Sequence, residues 1–334
     1  MGIPVRRRSL LFAVPAGLLT LAGCGDDKSG KPATGVSASG SASVSPSASV
    51  RIVDGPLPEI TAGTKFGEKP TVAKGPGQPS KDLAVKTVIQ GDGATVAEGD
   101  YLQANYLGQI WDTAKVFDNS WDRGTPAIFP IGVGRVIQGW DKALVGKKVG
   151  DRVELAIPPN LGYGEQGQPD AGIKGTDTLV FVVDVVDTFN GKSSSKGKAV
   201  PQNDAALPKV GTNTDGAAPS IEVPKTAAPT KLVADYVLEG DGRPVKATDT
   251  LLLQYKGVLW DGGKEFDSSY KNGQLAQFPL QQLIKGWQDG LVGKKVGSRV
   301  MLVVPPDLGY GDQEQQGIPA KSTLVFSLDI LAAM

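Results

Sequence analysis

One long segment of this chain occurs twice, and that constrains its fold more than any single motif does. Residues 139–164 read GWDKALVGKKVGDRVELAIPPNLGYG and residues 286–311 read GWQDGLVGKKVGSRVMLVVPPDLGYG, identical at 18 of 26 positions without a gap. The match continues outward. Gln90-Gly91-Asp92-Gly93 answers Glu239-Gly240-Asp241-Gly242, Asn105-Tyr106-Leu107-Gly108 answers Gln254-Tyr255-Lys256-Gly257, and Val116-Phe117-Asp118 answers Glu265-Phe266-Asp267. Downstream, Thr178-Leu179-Val180-Phe181 answers Thr323-Leu324-Val325-Phe326. The offset shrinks from 149 through 147 to 145 residues, so only short loop deletions separate the copies. A unit of about 110 residues has the size of a domain, well above the roughly 20–50 residues of a solenoid module. Whatever fold this chain takes, it takes twice.

Within each copy the apolar period is mostly two. Val153, Leu155 and Ile157 alternate with Arg152, Glu154 and Ala156, and Leu251, Leu253 and Tyr255 alternate similarly in the second copy. Such alternation predicts antiparallel strands buried on one face. The exception follows the Gly-Trp step. Val136, Trp140 and Leu144 fall four apart with Gly146 behind them, and Leu283, Trp287 and Leu291 repeat this ahead of Gly293. That spacing predicts one short helix per copy, closed by a C′ glycine. Pro158-Pro159 and Pro305-Pro306 end a strand, since neither residue can donate to a ladder. The expected fold class is α+β: a twisted antiparallel β-sheet wrapped around one short α-helix, two copies in tandem.

Composition removes whole classes of chemistry. The chain contains no histidine, which excludes Ser-His-Asp and Cys-His catalysis and His-ligated metals. Its one cysteine excludes intramolecular disulfides, thiolate clusters and CxxC redox chemistry. No cofactor and no metal is expected. Formal charge balances at 35 basic against 35 acidic residues; without Arg6, Arg7 and Arg8, all ahead of Cys24, it stands at 32 against 35. That balance gives no footprint for nucleic acid or an anionic membrane surface.

Residues 1–24 have the form of a bacterial export signal: Arg6-Arg7-Arg8, an apolar run from Leu10 to Leu21, then small residues. The run is too short to cross a bilayer, which takes about 20 residues. Leu21-Ala22-Gly23-Cys24 resembles the lipobox of bacterial lipoproteins, where the Cys thiol is diacylated and becomes the mature N-terminus. Arg-Arg-Arg-Ser-Leu fits a twin-arginine signal and an ordinary basic n-region equally. Two or three acyl chains anchor stably without a spanning helix, so the expected location is the extracytoplasmic face of the cell membrane. Residues 25–55, rich in Ser, Ala, Gly and Pro, read as a disordered tether. Residues 191–219 have the same character and read as an interdomain linker, which leaves the copies at 56–190 and 220–334.

In order and in spacing, Tyr106, Phe117-Asp118, Val136-Ile137-x-Gly139-Trp140, Tyr163-Gly164, Ile173 and Phe181 resemble the pocket of FKBP-type peptidyl-prolyl cis–trans isomerases. The second copy supplies Tyr255, Phe266-Asp267, Leu283-Ile284-x-Gly286-Trp287, Tyr310-Gly311, Ile318 and Phe326. No element is specific alone, and a Trp, two Phe and a Tyr could simply be core. Two ordered sets, each with Gly, Asp and a Gly-Tyr-Gly loop, are specific together.

The resemblance implies that Trp140 and Trp287 floor a proline pocket. Tyr106, Phe117 and Phe181, or Tyr255, Phe266 and Phe326, would wall it. The backbone N–H of Ile137 or Ile284 would donate to a substrate carbonyl, and Tyr163 or Tyr310 would donate from a loop above. Val136, Ile173, Leu283 and Ile318 complete the substrate-binding set, and Asp118 and Asp267 act as orienting charges. The reaction suits a chain stripped of imidazole and thiolate. Its barrier of about 18–20 kcal/mol is lost amide resonance, and no bond is made or broken. The implied partners are proline-containing segments of exported proteins, bound by a monomer. The alternative is a non-catalytic proline-segment binder or chaperone in one or both copies. Three departures bear on the site. Arg123 follows Phe-Asp in the first copy, but Asn272, beside Lys271, stands there in the second. Ala127 and Ala276 replace an aromatic residue found in some family members. The loop from Tyr163 to Phe181 is two residues longer than that from Tyr310 to Phe326.

Overall fold

The computed structural model describes residues 50–334; the export-signal segment, Cys24 and the tether as far as residue 49 lie outside the described residues. The first copy supplies β1 (Ile52–Val53), β2 (Leu83–Ile89), β3 (Tyr101–Ile110), β4 (Val116–Asn119), β5 (Ala127–Pro130), α1 (Gln138–Leu144), β6 (Arg152–Ile157) and β7 (Leu179–Phe189). The second supplies β8 (Lys198–Ala199), β9 (Val233–Glu239), β10 (Thr250–Leu259), β11 (Glu265–Ser268), β12 (Ala276–Pro279), α2 (Lys285–Leu291), β13 (Arg299–Val304) and β14 (Leu324–Ala333). The first sheet runs β1-β2-β6-β7-β3-β4 with β5 also on β3, and the second runs β8-β9-β13-β14-β10-β11 with β12 also on β10. Only the short β1, parallel to β2, breaks the antiparallel pattern. This is the expected α+β class, built twice.

In each copy the helix fills the concave face. Trp140, Ala143 and Leu144 pack with Val153, Leu155 and Ile157, and Trp287 and Leu291 pack with Val300, Leu302 and Val304. The approach is so close that a Cβ on Gly139 would lie 2.5 Å from Ile157 Cγ2, and one on Gly286 would lie 2.4 Å from Val304 Cγ1. The glycine of the Gly-Trp step is thus a packing requirement. Gly146 and Gly293 close the helices at φ 86° and 82°, conformations that a side chain disfavours.

The outer face departs from expectation. Every residue of β6 and β13 is buried, although alternation suggested one wet face. Residues 50–82 and 191–231 account for this by running as straps over the outer faces. Val72, Leu57 and Ile60 cover Ala156, Val180 and Val182 in the first copy. Val210, Leu207 and Ile221 cover Met301, Val303 and Val325 in the second. A sheet tryptophan donates into each strap, Trp111 to Gly77 O at 3.0 Å and Trp260 to Thr226 O at 3.1 Å.

Beneath each strap lies a fully buried ion pair. Arg152 grips Asp184 at 2.6 and 2.8 Å and donates its other N–H groups to Gly63 O and Glu68 O. Arg299 grips Asp329 at 2.5 and 2.7 Å and donates to Gly211 O and Asn213 O. The carboxylates also accept strap N–H groups, Gly67 on Asp184 and Ser195 on Asp329. Burying two charges is tolerable only when the remaining donors and acceptors are satisfied in this way.

Residues 191–219 therefore join the copies but do not behave as the flexible tether their composition suggested. They contain β8 and one strand of a short ribbon (Lys209–Val210 with Ile221–Glu222), and Ser194 and Ser195 are buried. Their small residues serve close approach: a Cβ on Gly191 would lie 1.9 Å from Gly273 O. The N-terminal tether likewise ends before residue 55, because Ile52-Val53 pairs with Leu83-Ala84. The copies also touch directly. Ile128, Phe189, Leu252, Leu331 and Ala332 form one buried cluster across the joint, and Gln254 Nε2 donates to Gly191 O at 2.8 Å.

Candidate active site

Strand β3 opens the first pocket. One edge pairs with β7 throughout, while the other is divided between β5, at Tyr101–Ala104, and β4, at Leu107–Gln109. At the gap, Tyr106 exchanges hydrogen bonds with Ser120, N–H to Oγ at 2.9 Å and O from N–H at 2.9 Å. Ser269 holds the Tyr255 N–H in the same way, also at 2.9 Å. These buried serines position a pocket wall in each copy; the motif gave no sign of them, because a serine in a loop looks like a solvated one.

Around Trp140 the rings stand mostly edge to face. Tyr106 and Phe181 each have their centroids 5.2 Å from that of Trp140, at 84° and 82°, and Phe129 lies 5.0 Å away. Phe117 meets Phe181 at 5.6 Å and 82°. Such geometries align ring edges with ring faces. They leave a cavity of about 780 Å3, lined also by Asp118, Ala127, Val136, Ile137, Tyr163, Gln168 and Ala171. The second copy repeats the core of this arrangement, with Tyr255 and Phe326 at 5.6 and 5.1 Å from Trp287 and Phe266 at 5.6 Å from Phe326. Among the described residues the indole N–H groups of Trp140 and Trp287 have no protein acceptor. Nor do the backbone N–H groups of Ile137 and Ile284, each held extended just ahead of its helix.

The polar corner separates the copies. In the first, Asp118 accepts from the Tyr106 hydroxyl and from Arg123 Nη1 at 2.5 Å, while Arg123 Nη2 donates to the Tyr106 oxygen at 2.8 Å. In the second, the Tyr255 hydroxyl donates to Asp267 at 2.6 Å, and the other carboxylate oxygen accepts the Ser268 N–H at 2.8 Å. Among the described residues no guanidinium reaches Asp267; Lys271 turns away to Glu265 at 2.8 Å. Burial, reinforced by the Asp118 hydrogen bond, pushes the Tyr106 phenol up to about 12. Burial first, and then Asp267, raises Tyr255 as well. Both phenols stay protonated and act as fixed donors.

In the first copy every expected residue except Ile173 lines the cavity. Ile173 and Ile318, 3% and 6% exposed, belong to the same buried clusters as the pocket aromatics Trp140 and Phe181 and Trp287 and Phe326. Each closes its loop through paired backbone hydrogen bonds, Ile173 with Gln168 and Ile318 with Gln315. In the first copy Gln168 and Ala171 take the wall position instead. The loop closed by Gln168 and Ile173 is also the longer one, which fits the expected difference between the copies. Tyr163 and Tyr310 stand over the site, 40% and 38% exposed. Val136 lines the first pocket, and Leu283 is half-buried beside the second core.

Comparison with known proteins places this geometry. The family model for FKBP-type peptidyl-prolyl cis-trans isomerase matches the chain twice, over residues 93–186 and 241–331. An FK506-binding protein of Streptomyces anulatus is 44% identical over 119 residues, 36% of this chain and 96% of that protein. A probable FK506-binding protein of Corynebacterium glutamicum is 43% identical over 116 residues, 34% of this chain and 98% of that one. Human peptidyl-prolyl cis-trans isomerase FKBP9 is 31% identical over 241 residues, which is 71% of this chain but only 35% of the human protein. Both straps lie outside the residues that the family model matches.

Proposed function

This chain belongs to the FKBP-type peptidyl-prolyl cis-trans isomerase family and carries that domain twice, and we propose that it assists the folding of exported proteins at the outer face of a membrane. The observation that carries the catalytic reading is the aromatic cavity over Trp140, apolar below and bordered by donors that no group among the described residues uses. A planar X-Pro amide is polar and well solvated, while the twisted amide is less so. An apolar floor with fixed donors therefore favours the twisted form.

In this reading the proline ring rests on Trp140 between Tyr106, Phe117 and Phe181. The Ile137 N–H takes a carbonyl, and Tyr163 closes from above. Asp118, both of its oxygens hydrogen-bonded, acts through its charge and position and moves no proton. The second copy works by the same geometry without the guanidinium. That difference favours a weaker catalyst there, or a site that only holds proline segments. The uncatalysed step takes tens to hundreds of seconds, slow enough to limit a client's folding. Anchoring rests on the lipobox at Cys24, with the tether carrying the folded copies away from the membrane.

Magnetisation-exchange NMR on an X-Pro peptide tests the chemistry. The full chain should accelerate cis–trans exchange, Asp118→Ala should slow it, and Asp267→Ala should slow it less. A wild-type rate equal to the uncatalysed one sinks the enzyme reading. Intact mass of the membrane-associated protein tests the anchor, and a mature chain without acyl mass on Cys24 overturns it.

A further inference from the structure

Where the two copies meet lies a second depression of about 540 Å3. Glu98, Val133 and Arg135 of the first copy form one wall, and Gly273 and Gln274 of the second form the other, with Gly191 at the joint. It adjoins the first pocket. Arg135 lines both, and β5 places Ala127 and Phe129 in the pocket and Pro130 in the cleft. Arg135 and Glu98 are exposed and have no hydrogen-bond or ion-pair partner among the described residues. By contrast Asp100, at the base, is already claimed by Thr188 Oγ1 and Asn190 Nδ2. Val133 is 50% exposed, an apolar side chain left uncovered beside two unpaired charges. The far wall is preformed, since Gly191 is seated against Gly273 and bonded to Gln254.

We propose that this cleft is a binding subsite for the polypeptide next to the proline, so that the second copy forms part of the first copy's client site. With the proline on Trp140, one flank of an extended client crosses Arg135 and continues between the copies. The fitting segment carries a carboxylate close to its proline, for Arg135, and a cation further along, for Glu98. The second copy has Gln282 at the position of Arg135, so this arrangement distinguishes the first pocket. The inference rests on the reading of that pocket as a proline site.

The test uses the full chain and a proline peptide with an acidic flank, carrying a photoactivatable diazirine a few residues from the proline on one side or the other. We expect one of the two probes to label Gly273–Leu275, and Gln274→Trp and Arg135→Glu each to weaken this peptide about 3- to 10-fold relative to a proline tetrapeptide too short to leave the pocket. Both positions are exposed, so these variants should fold. Labelling confined to the first copy from both flanks, or equal loss for the two peptides, overturns the cleft. Labelling of Gly273–Leu275 without any acceleration of exchange supports the cleft and sinks the catalytic reading instead.

Discussion

The two pockets share their aromatic walls and differ beside the carboxylate. The walls come from strands and a helix whose packing leaves little freedom, down to the glycine under each tryptophan. The corner comes from a short turn, Trp121–Arg123 in one copy and Ser269–Asn272 in the other. A turn can change a charge without disturbing the sheet. The outer faces tell the same story: both keep the arginine–aspartate pair, but Glu154 stands in the first copy where Met301 stands in the second. Duplication has preserved the cavity and the clamp while the charges around them diverged.

The largest effect should come from the shared clamp. Arg299→Ala leaves Asp329 buried and uncompensated, a loss of about 3–5 kcal/mol. Hydrogen exchange should then rise across residues 191–231 and the second sheet far more than across the first, and Arg152→Ala should reverse the pattern. Equal exchange in both copies would break the view of each strap as part of its own domain.

Glu154 offers the next test. Burial raises its pKa from an ordinary 4.5 to about 7, with Lys86 lowering it only in part. A carboxyl raised in the folded state contributes stability below its unfolded pKa that is lost as pH rises through the folded one. Glu154→Met, which copies the second domain, should therefore stabilise the first copy by about 3 kcal/mol more at pH 8 than at pH 4. Denaturation followed at both pH values decides this, and a gain independent of pH would contradict it.

Smaller effects belong to the corner. Arg123→Asn should slow prolyl exchange several-fold and Asn272→Arg should quicken it, since an exposed pair contributes about 1 kcal/mol or less. Rates indifferent to both changes would remove the functional contrast between the copies. Smallest of all is Lys271→Ala: it leaves Glu265 paired with Lys256 alone, at 3.5 Å, should cost under about 1 kcal/mol, and should leave exchange unaltered. A loss of rate there would mean that Lys271 substitutes for the missing arginine.

Much of the site was legible because its residues recur in order, and the helix was legible because its apolar residues fall four apart. What stayed hidden depends on partners far away in the chain. Arg152 reads as the wet side of a strand until Gly63 and Glu68, more than eighty residues earlier, are laid over it. Ser194 and Ser195 read as spacer because serine and glycine look alike whether a chain is solvated or packed close. Which residues of the loop after Tyr163 line the cavity also stayed hidden: Gln168 and Ala171 do so, and neither belongs to the recurring set.

The straps also impose an order in time. A chain made from its N-terminus presents Gly67 long before Asp184, 117 residues later, and Ser195 long before Asp329, 134 residues later. Contacts this distant in sequence form slowly. Neither copy can lock until its own last strand has emerged, and the second strap begins almost where the first copy's last strand stops. A nascent chain should therefore resist protease in two steps, the first near residue 190 and the second only at the final strand.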